Sequence, residues 1–290
     1  MTTPRIRVLQ SISDPGHAGR PNEDRFGFNE ATAFVVDGAT GLGDRQYMDG
    51  ADSDAAWIAS HYALGFQQGV TESSPIGDVT RGLSVAARDT FLRHHPDAPR
   101  YAWPLAAFAM LQTFEHGIYV HGLGDSCVFL LQADGSATMH MAVPDAFTRE
   151  QSEAQRHIER TGGISSGGGT LGNAETLAAL RASRMQQNRP GARVWTLGLV
   201  PDAADRIVSE RLRIDDTAHA LVCSDGLADL VVLYAAYDPA GLVNAARNKG
   251  LTALVDELRT LEREVDPEGL RFPRYKRSDD TTALLVELNP

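Results

Sequence analysis

The stretch LVCSDGLADL, Leu221–Leu230, breaks an apolar run with Ser-Asp-Gly and then takes up a helix-like pattern. FVVDGATG, Phe34–Gly41, ends its own apolar run in the same way, at Asp37-Gly38. Asp-Gly is ordinary turn chemistry, because Gly frees the backbone and Asp bonds to it locally. Placed twice at the end of a core-like strand, it also delivers carboxylates to strand termini.

Around these two points the chain alternates strands and turns. Strand-like runs cover Arg5–Ser11, Ala33–Val36, Leu105–Phe114, Gly117–His121, Cys127–Leu131, Arg193–Thr196, Ile207–Ile214, Ala218–Cys223 and Thr282–Leu288. LQTFEHGIYV reads as a hairpin turning at Glu115-His116-Gly117, and FLLQADGSATMH as another turning at Asp134-Gly135. Consecutive hairpins imply antiparallel sheets. Helical periodicity puts Trp57, Ile58, His61, Tyr62 and Phe66 on one stripe, with Ser53 as N-cap, and Ile76, Val79, Leu83, Ala86, Ala87 and Phe91 on another. Further helices are expected over Leu227–Tyr234, Pro239–Asn248 and Leu251–Val265. Amphipathic helices need sheet faces to cover, so the class is α+β, with sheets sandwiched between helices.

The 290 residues suffice for one domain with a sizeable core. The segment Thr148–Pro190 leads from a polar helix-like run into TGGISSGGGTLG, a composition that cannot hold a rigid packed element, and reads as a mobile flap within that domain. A formal charge of −11, from 27 Lys+Arg against 38 Asp+Glu, argues against nucleic acid or an anionic membrane as partner. Cys127 and Cys223 lie in apolar runs without zinc-site spacing and read as buried small hydrophobes. With no signal-like N-terminus and no long apolar span, a cytosolic protein is expected.

The acids recur at strand ends. Glu23-Asp24 precedes RFGF, Asp37 ends AFVV, Asp125 follows YVHGLG, Asp225 follows ALVC, and Asp279-Asp280 opens TTALLVEL. Carboxylates that converge repel one another unless a cation neutralises them. Oxygen ligands without histidine favour Mg²⁺ or Mn²⁺ over zinc.

In order and spacing these motifs resemble the metal-dependent Ser/Thr protein phosphatases of the 2C type, the PPM family. RPNEDR is similar to its first motif, FVVDGATG to Val-x-Asp-Gly-x-Gly, GLGDSCVFLL to its Gly-Asp-Ser strand, ALVCSDGLADLV to Ser-Asp-Gly-hydrophobic, and SDDTTALLVEL to the closing Asp-Asn-x-Thr strand. The resemblance implies a four-layer αββα sandwich, two antiparallel sheets flanked by helices, acting as a monomer on phosphorylated protein. It also implies two Mn²⁺ or Mg²⁺ ions. Asp37 would bridge them, the Gly38 carbonyl would bind one, and Asp225 and Asp279 would hold the other. Glu23 and Asp24 would act directly or through water, and Asp125 would help form a third, weaker position. A hydroxide bridging the ions would attack phosphorus in line, and Arg20 would hold the substrate phosphate.

Several positions depart from the family pattern. Arg20 lies three rather than four residues before Glu23, Ala39 stands where some members carry a histidine acid, Cys127 replaces an arginine, and Asp280 replaces an asparagine. Asp44, Asp49, Asp52 and Asp54 in the altered loop read as helix capping and solvation. The departures bear on substrate choice, and a small phosphorylated metabolite is the main alternative. Gly163–Gly167 fits GxSxG, and Gly124-Asp125-Ser126 with Asp216–His219 fits an esterase motif, but neither has the required strand context. The intact acidic set argues against a non-catalytic relative.

Overall fold

The computed structural model describes residues 4–164 and 173–290. One sheet has five strands, β1 (Arg5–Asp14), β11 (Thr281–Asn289), β10 (Ala218–Cys223), β6 (Cys127–Leu131) and β7 (Ala137–Met141), in that order. The other runs β2 (Arg25–Phe28), β3 (Thr32–Ala39), β4 (Leu105–Phe114), β5 (Gly117–Leu123) and β9 (Val208–Arg211), with the short β8 (Leu197–Gly198) on β4. Every pairing is antiparallel. Both hairpin turns fall where the sequence puts them. Gly117 and Gly135 take left-handed backbone there, and the Asp134 carboxylate accepts the Ser136 amide at 2.9 Å.

Side-chain alternation fixes the layers. Val35, Ala109, Leu111, Val128, Leu130, Val222 and Leu284 fill the space between the sheets. Phe34, Val36, Phe108 and Met110 point the other way, onto α1 (Asp54–Gly69) and α2 (Ile76–His94). Phe129, Leu221 and Leu285 face α5 (Asp225–Val232), α6 (Pro239–Lys249) and α7 (Leu251–Thr260). The result is the expected αββα sandwich. Because β4, β6 and β10 are covered on both faces, they read as nearly unbroken apolar runs.

Ser53 caps α1 as expected, its hydroxyl accepting the Ala56 amide at 3.0 Å. The stripe on α2 is rotated from the expected one: Thr80 and Ser84 are buried and Ala86 is exposed. Ser84 gains its place by donating to the Gly198 carbonyl at 2.8 Å, a long-range bond that periodicity does not carry. Arg193–Thr196 is not a strand; only Leu197–Gly198 pairs, one step later. Within 148–190, the described residues form α3 (Ala146–Thr161) and α4 (Ala174–Arg184), the second absent from the sequence reading despite its alanine-rich composition. The glycine run and the GxSxG serines, 165–172, lie outside the described residues. Among the described residues no helix is long and apolar enough to cross a membrane.

His121 on β5 is buried, with Nδ1 2.7 Å from the Ser209 hydroxyl and no hydrogen-bond partner for Nε2. Burial pushes this imidazole down from 6.5 to about 4. The folded state therefore resists a proton that the unfolded chain takes up near pH 6.5. The stability it supports is complete above that pH and is lost as pH falls toward 4, by up to ~3 kcal/mol. Urea unfolding of wild type and His121→Asn between pH 7 and 4 is expected to show a shallower acid loss in the variant; parallel curves would contradict it.

Candidate metal centre and active-site cleft

Close backbone approaches bring the strand-end acids together. Gly38 donates to the Glu23 carbonyl at 3.2 Å, and a Cβ there would stand 2.6 Å from that oxygen and 2.8 Å from the Ala55 carbonyl. Gly226 is tighter still: a Cβ would lie 2.3 Å from the Asp280 carbonyl. Only glycine lets the first turn of α5 settle on the entry to β11, which sets Asp225 beside Asp279. Ser224 locks the same junction, donating its amide to the Thr282 carbonyl and accepting the Thr282 amide on its hydroxyl, each at 3.0 Å.

Asp37 on β3, Asp125 between β5 and β6, and Asp225 at the start of α5 each place a carboxylate oxygen within 4.8 Å of the others. All three carboxyl groups are pushed above the ordinary range. Removal from water is the first cause in each; for Asp37 the charges of Asp24 and Asp125 follow, and for Asp225 those of Asp37 and Asp279. Asp24 is buried, one carboxylate oxygen lacking a hydrogen-bond partner, and burial followed by Asp280 pushes it up to about 7.

The remaining site residues are placed as follows. Glu23 is buried, its two carboxylate oxygens each accepting a hydroxyl at 2.6 Å, from Ser53 and Thr40. Asp280 acts on backbone: it accepts the Glu23 amide at 2.6 Å and the Gly16 amide at 3.2 Å, tying the first acidic motif to β11. Asp279 stands outside the close trio and receives the Lys276 ammonium at 2.6 Å. A cavity of about 370 Å³ opens beside the aspartates, with Arg20, Arg184 and Lys276 among its walls. A second, about 430 Å³, extends past Glu23 and Arg45 and shares Arg20, Thr40, Lys276 and Asp279 with the first. In the altered loop, Asp44 pairs with Arg181 at the surface as expected, whereas Asp54 neither caps a helix nor faces solvent: it is buried and accepts the Tyr47 and Met48 amides, tying the loop to the start of α1.

Two charged neighbours of Asp279 are invisible to motif reading. Lys276 sits in the charged run KRSDD, where nothing singles it out. Arg259 lies on the otherwise aliphatic face of α7, and that mismatch is a signal in the sequence. It is buried and donates to the Asp279 carbonyl at 2.9 Å, to Thr281, Asp14 and Glu262.

No family sequence model and no curated relative matches the chain. Solved structures do. The Ser/Thr phosphatase PstP/Ppp of Mycobacterium tuberculosis aligns over 98% of both chains with a TM-score of 0.53 and 15% identity. The PPM Ser-Thr phosphatase MsPP of Mycobacterium smegmatis, in complex with cacodylate, aligns over 96% of this chain and 98% of its own, at 0.52 and 18%. The chain has the PPM phosphatase fold. A second PstP structure of that fold, in complex with two manganese ions, aligns over 99% of this chain and 100% of its own, at 0.53 and 15%.

Proposed function

We propose that this chain is a Mn²⁺- or Mg²⁺-dependent phosphatase acting as a cytosolic monomer on phosphoserine and phosphothreonine in proteins. The observation that carries the reading is the convergence of Asp37, Asp125 and Asp225 from three separate strand ends, within 4.8 Å, with Asp125 and Asp225 at the wall of a cleft in this fold. The residues fit hard divalent cations. All donors are oxygens, an additional buried carboxylate oxygen on Asp24 lacks a partner, and like charges this close need neutralising. Asp37, Asp125 and Asp225 would hold the cations, with the Gly38 carbonyl, Asp24, Glu23 and Asp279 completing the shell. Bound cations would supply an activated water and neutralise charge on the phosphoryl group, which is most of what phosphoryl transfer requires.

The protein's own groups do the positioning. Arg20 and Arg184 put positive charge on the cleft wall, where it can orient a phosphate and offset its charge. Burial pushes the Arg184 guanidinium down to about 10, which leaves it charged at neutral pH. Ala39 offers no proton for the leaving hydroxyl, which would instead take one from water in the cleft or from another residue. The serine-esterase alternative loses support: the Ser126 hydroxyl is buried and makes no hydrogen bond, whereas an activated nucleophile needs a base beside it.

Phosphate release from phosphoserine and phosphothreonine peptides, compared with small phosphomonoesters, tests the reading. Release from the peptides is expected with Mn²⁺ and only background with excess chelator. Chelator-resistant turnover would contradict the proposal, and exclusive turnover of small esters would replace its substrate.

A further inference from the structure

Only two of the 27 basic residues are lysines, Lys249 and Lys276. Lys249 bridges Glu257 and Tyr237 at the surface. Lys276 instead places its ammonium 2.6 Å from Asp279 at the wall shared by both cavities. In a chain that uses arginine almost everywhere, the difference has chemical content. Arginine is a planar fork that holds its partner, whereas lysine is a compact charge on a flexible stem that can leave it.

The placement of Lys276 is built into the fold. The loop before β11 is stapled by Arg274, which is buried and donates to the Asp266 carboxylate at 3.1 Å, the Glu262 carbonyl at 2.9 Å and the Arg277 carbonyl at 3.1 Å. Asp266 in turn accepts the amides of Leu270, Arg271 and Phe272. Arg259 fixes the Asp279 carbonyl from below. Lys276 therefore starts from a fixed loop and ends on a carboxylate that also accepts the Asp280 amide at 2.9 Å, leaving its own side chain as the movable part. Asp279 is the strand-end acid that stands apart from the trio, and it is the one that carries the ammonium.

Resting on the metal reading above, we propose that Lys276 is a tethered competitor for the divalent cations. Its ammonium neutralises the Asp279 side of the cluster when ions are absent and is displaced when an ion takes that carboxylate. The protein thus stays folded without metal and binds cations more weakly than its carboxylates alone would allow.

Mn²⁺ titration of wild type, Lys276→Gln and Lys276→Arg, with the melting temperature of each metal-free form, tests this. Lys276→Gln is expected to bind Mn²⁺ roughly tenfold more tightly or better, because a unit charge in contact with the ligand is gone. Its metal-free form is expected to melt lower than wild type. Lys276→Arg keeps the charge and is expected to bind no more tightly than wild type. With only two lysines, ¹³Cε-lysine labelling gives two resolvable signals, and Mg²⁺ is expected to shift the Lys276 signal while leaving that of Lys249 in place. Unchanged or weaker Mn²⁺ affinity in Lys276→Gln, or a Lys276 signal unmoved at saturating Mg²⁺, overturns the inference. Absence of Mn²⁺ binding in all three proteins overturns the metal reading itself.

Discussion

Asp37→Asn is expected to lower Mn²⁺-dependent phosphopeptide hydrolysis by roughly 10³-fold or more while leaving the metal-free protein at least as stable as wild type. The two effects have opposite sign for one reason. The Asp37 carboxylate is held among Asp24, Asp125 and Asp279 with burial opposing its charge. Without a cation that arrangement is repulsive, and asparagine relieves it at nearly constant shape. With a cation the same carboxylate is one of the three that would neutralise it. Linkage gives the pH sign. A carboxyl raised in the folded state binds its proton more readily there than in the unfolded chain, so metal-free wild type gains stability as pH falls toward the ordinary carboxylate range and loses it as pH rises. Asp37→Asn should show a weaker dependence. Initial rates with Mn²⁺, and thermal melts in chelator across pH 5 to 8, check both halves. A variant that loses activity because it melts well below wild type in chelator would contradict the account.

The second large effect is on folding. Arg259→Met is expected to cost about 3–5 kcal/mol, because it strands buried acceptors and an uncompensated carboxylate. Arg259 donates to Glu262 at 3.1 and 2.8 Å and to Asp14 at 2.9 and 2.8 Å. Burial already pushes the Glu262 carboxyl upward, with Arg259 and Arg274 pulling it back. Activity should fall further than stability alone explains, because the Asp279 carbonyl loses its donor. Replacing both partners, Arg259→Met with Glu262→Met, is expected to recover part of the stability, as apolar replacement of a buried pair often does, but not the activity. Denaturant unfolding of the two single variants and the double variant checks this. A loss under about 1 kcal/mol in Arg259→Met would show that the pair behaves as a screened surface contact.

Much of the architecture was legible because it rests on local signals. The Glu115–Gly117 and Asp134-Gly135 turns, the Ser53 cap and the apolar run of β3 are all written within a few residues of where they act. The acids at strand ends were legible for the same reason: a polar residue that interrupts an apolar run marks the end of a strand. What the sequence conceals is decided by distant contacts. Ser84 turns inward on α2 because Gly198 offers it a carbonyl. Asp280 serves two backbone amides more than 250 residues upstream, a role its place in a motif does not reveal. Asp279 and Asp125 differ in surroundings because Lys276 reaches one and not the other. Spacing along the chain brings the acids to one edge of the sandwich, while their individual charge environments come from loops and helices that the motifs do not contain.

Whether these carboxylates bind divalent cations as a group decides the chemistry of the site. The most direct measurement is Mn²⁺ bound per chain, by equilibrium dialysis, in wild type and Asp37→Asn. About two bound ions are expected in wild type at saturating Mn²⁺, and loss of at least one in the variant. Equal binding in the two proteins, or none in wild type, would contradict the metal reading.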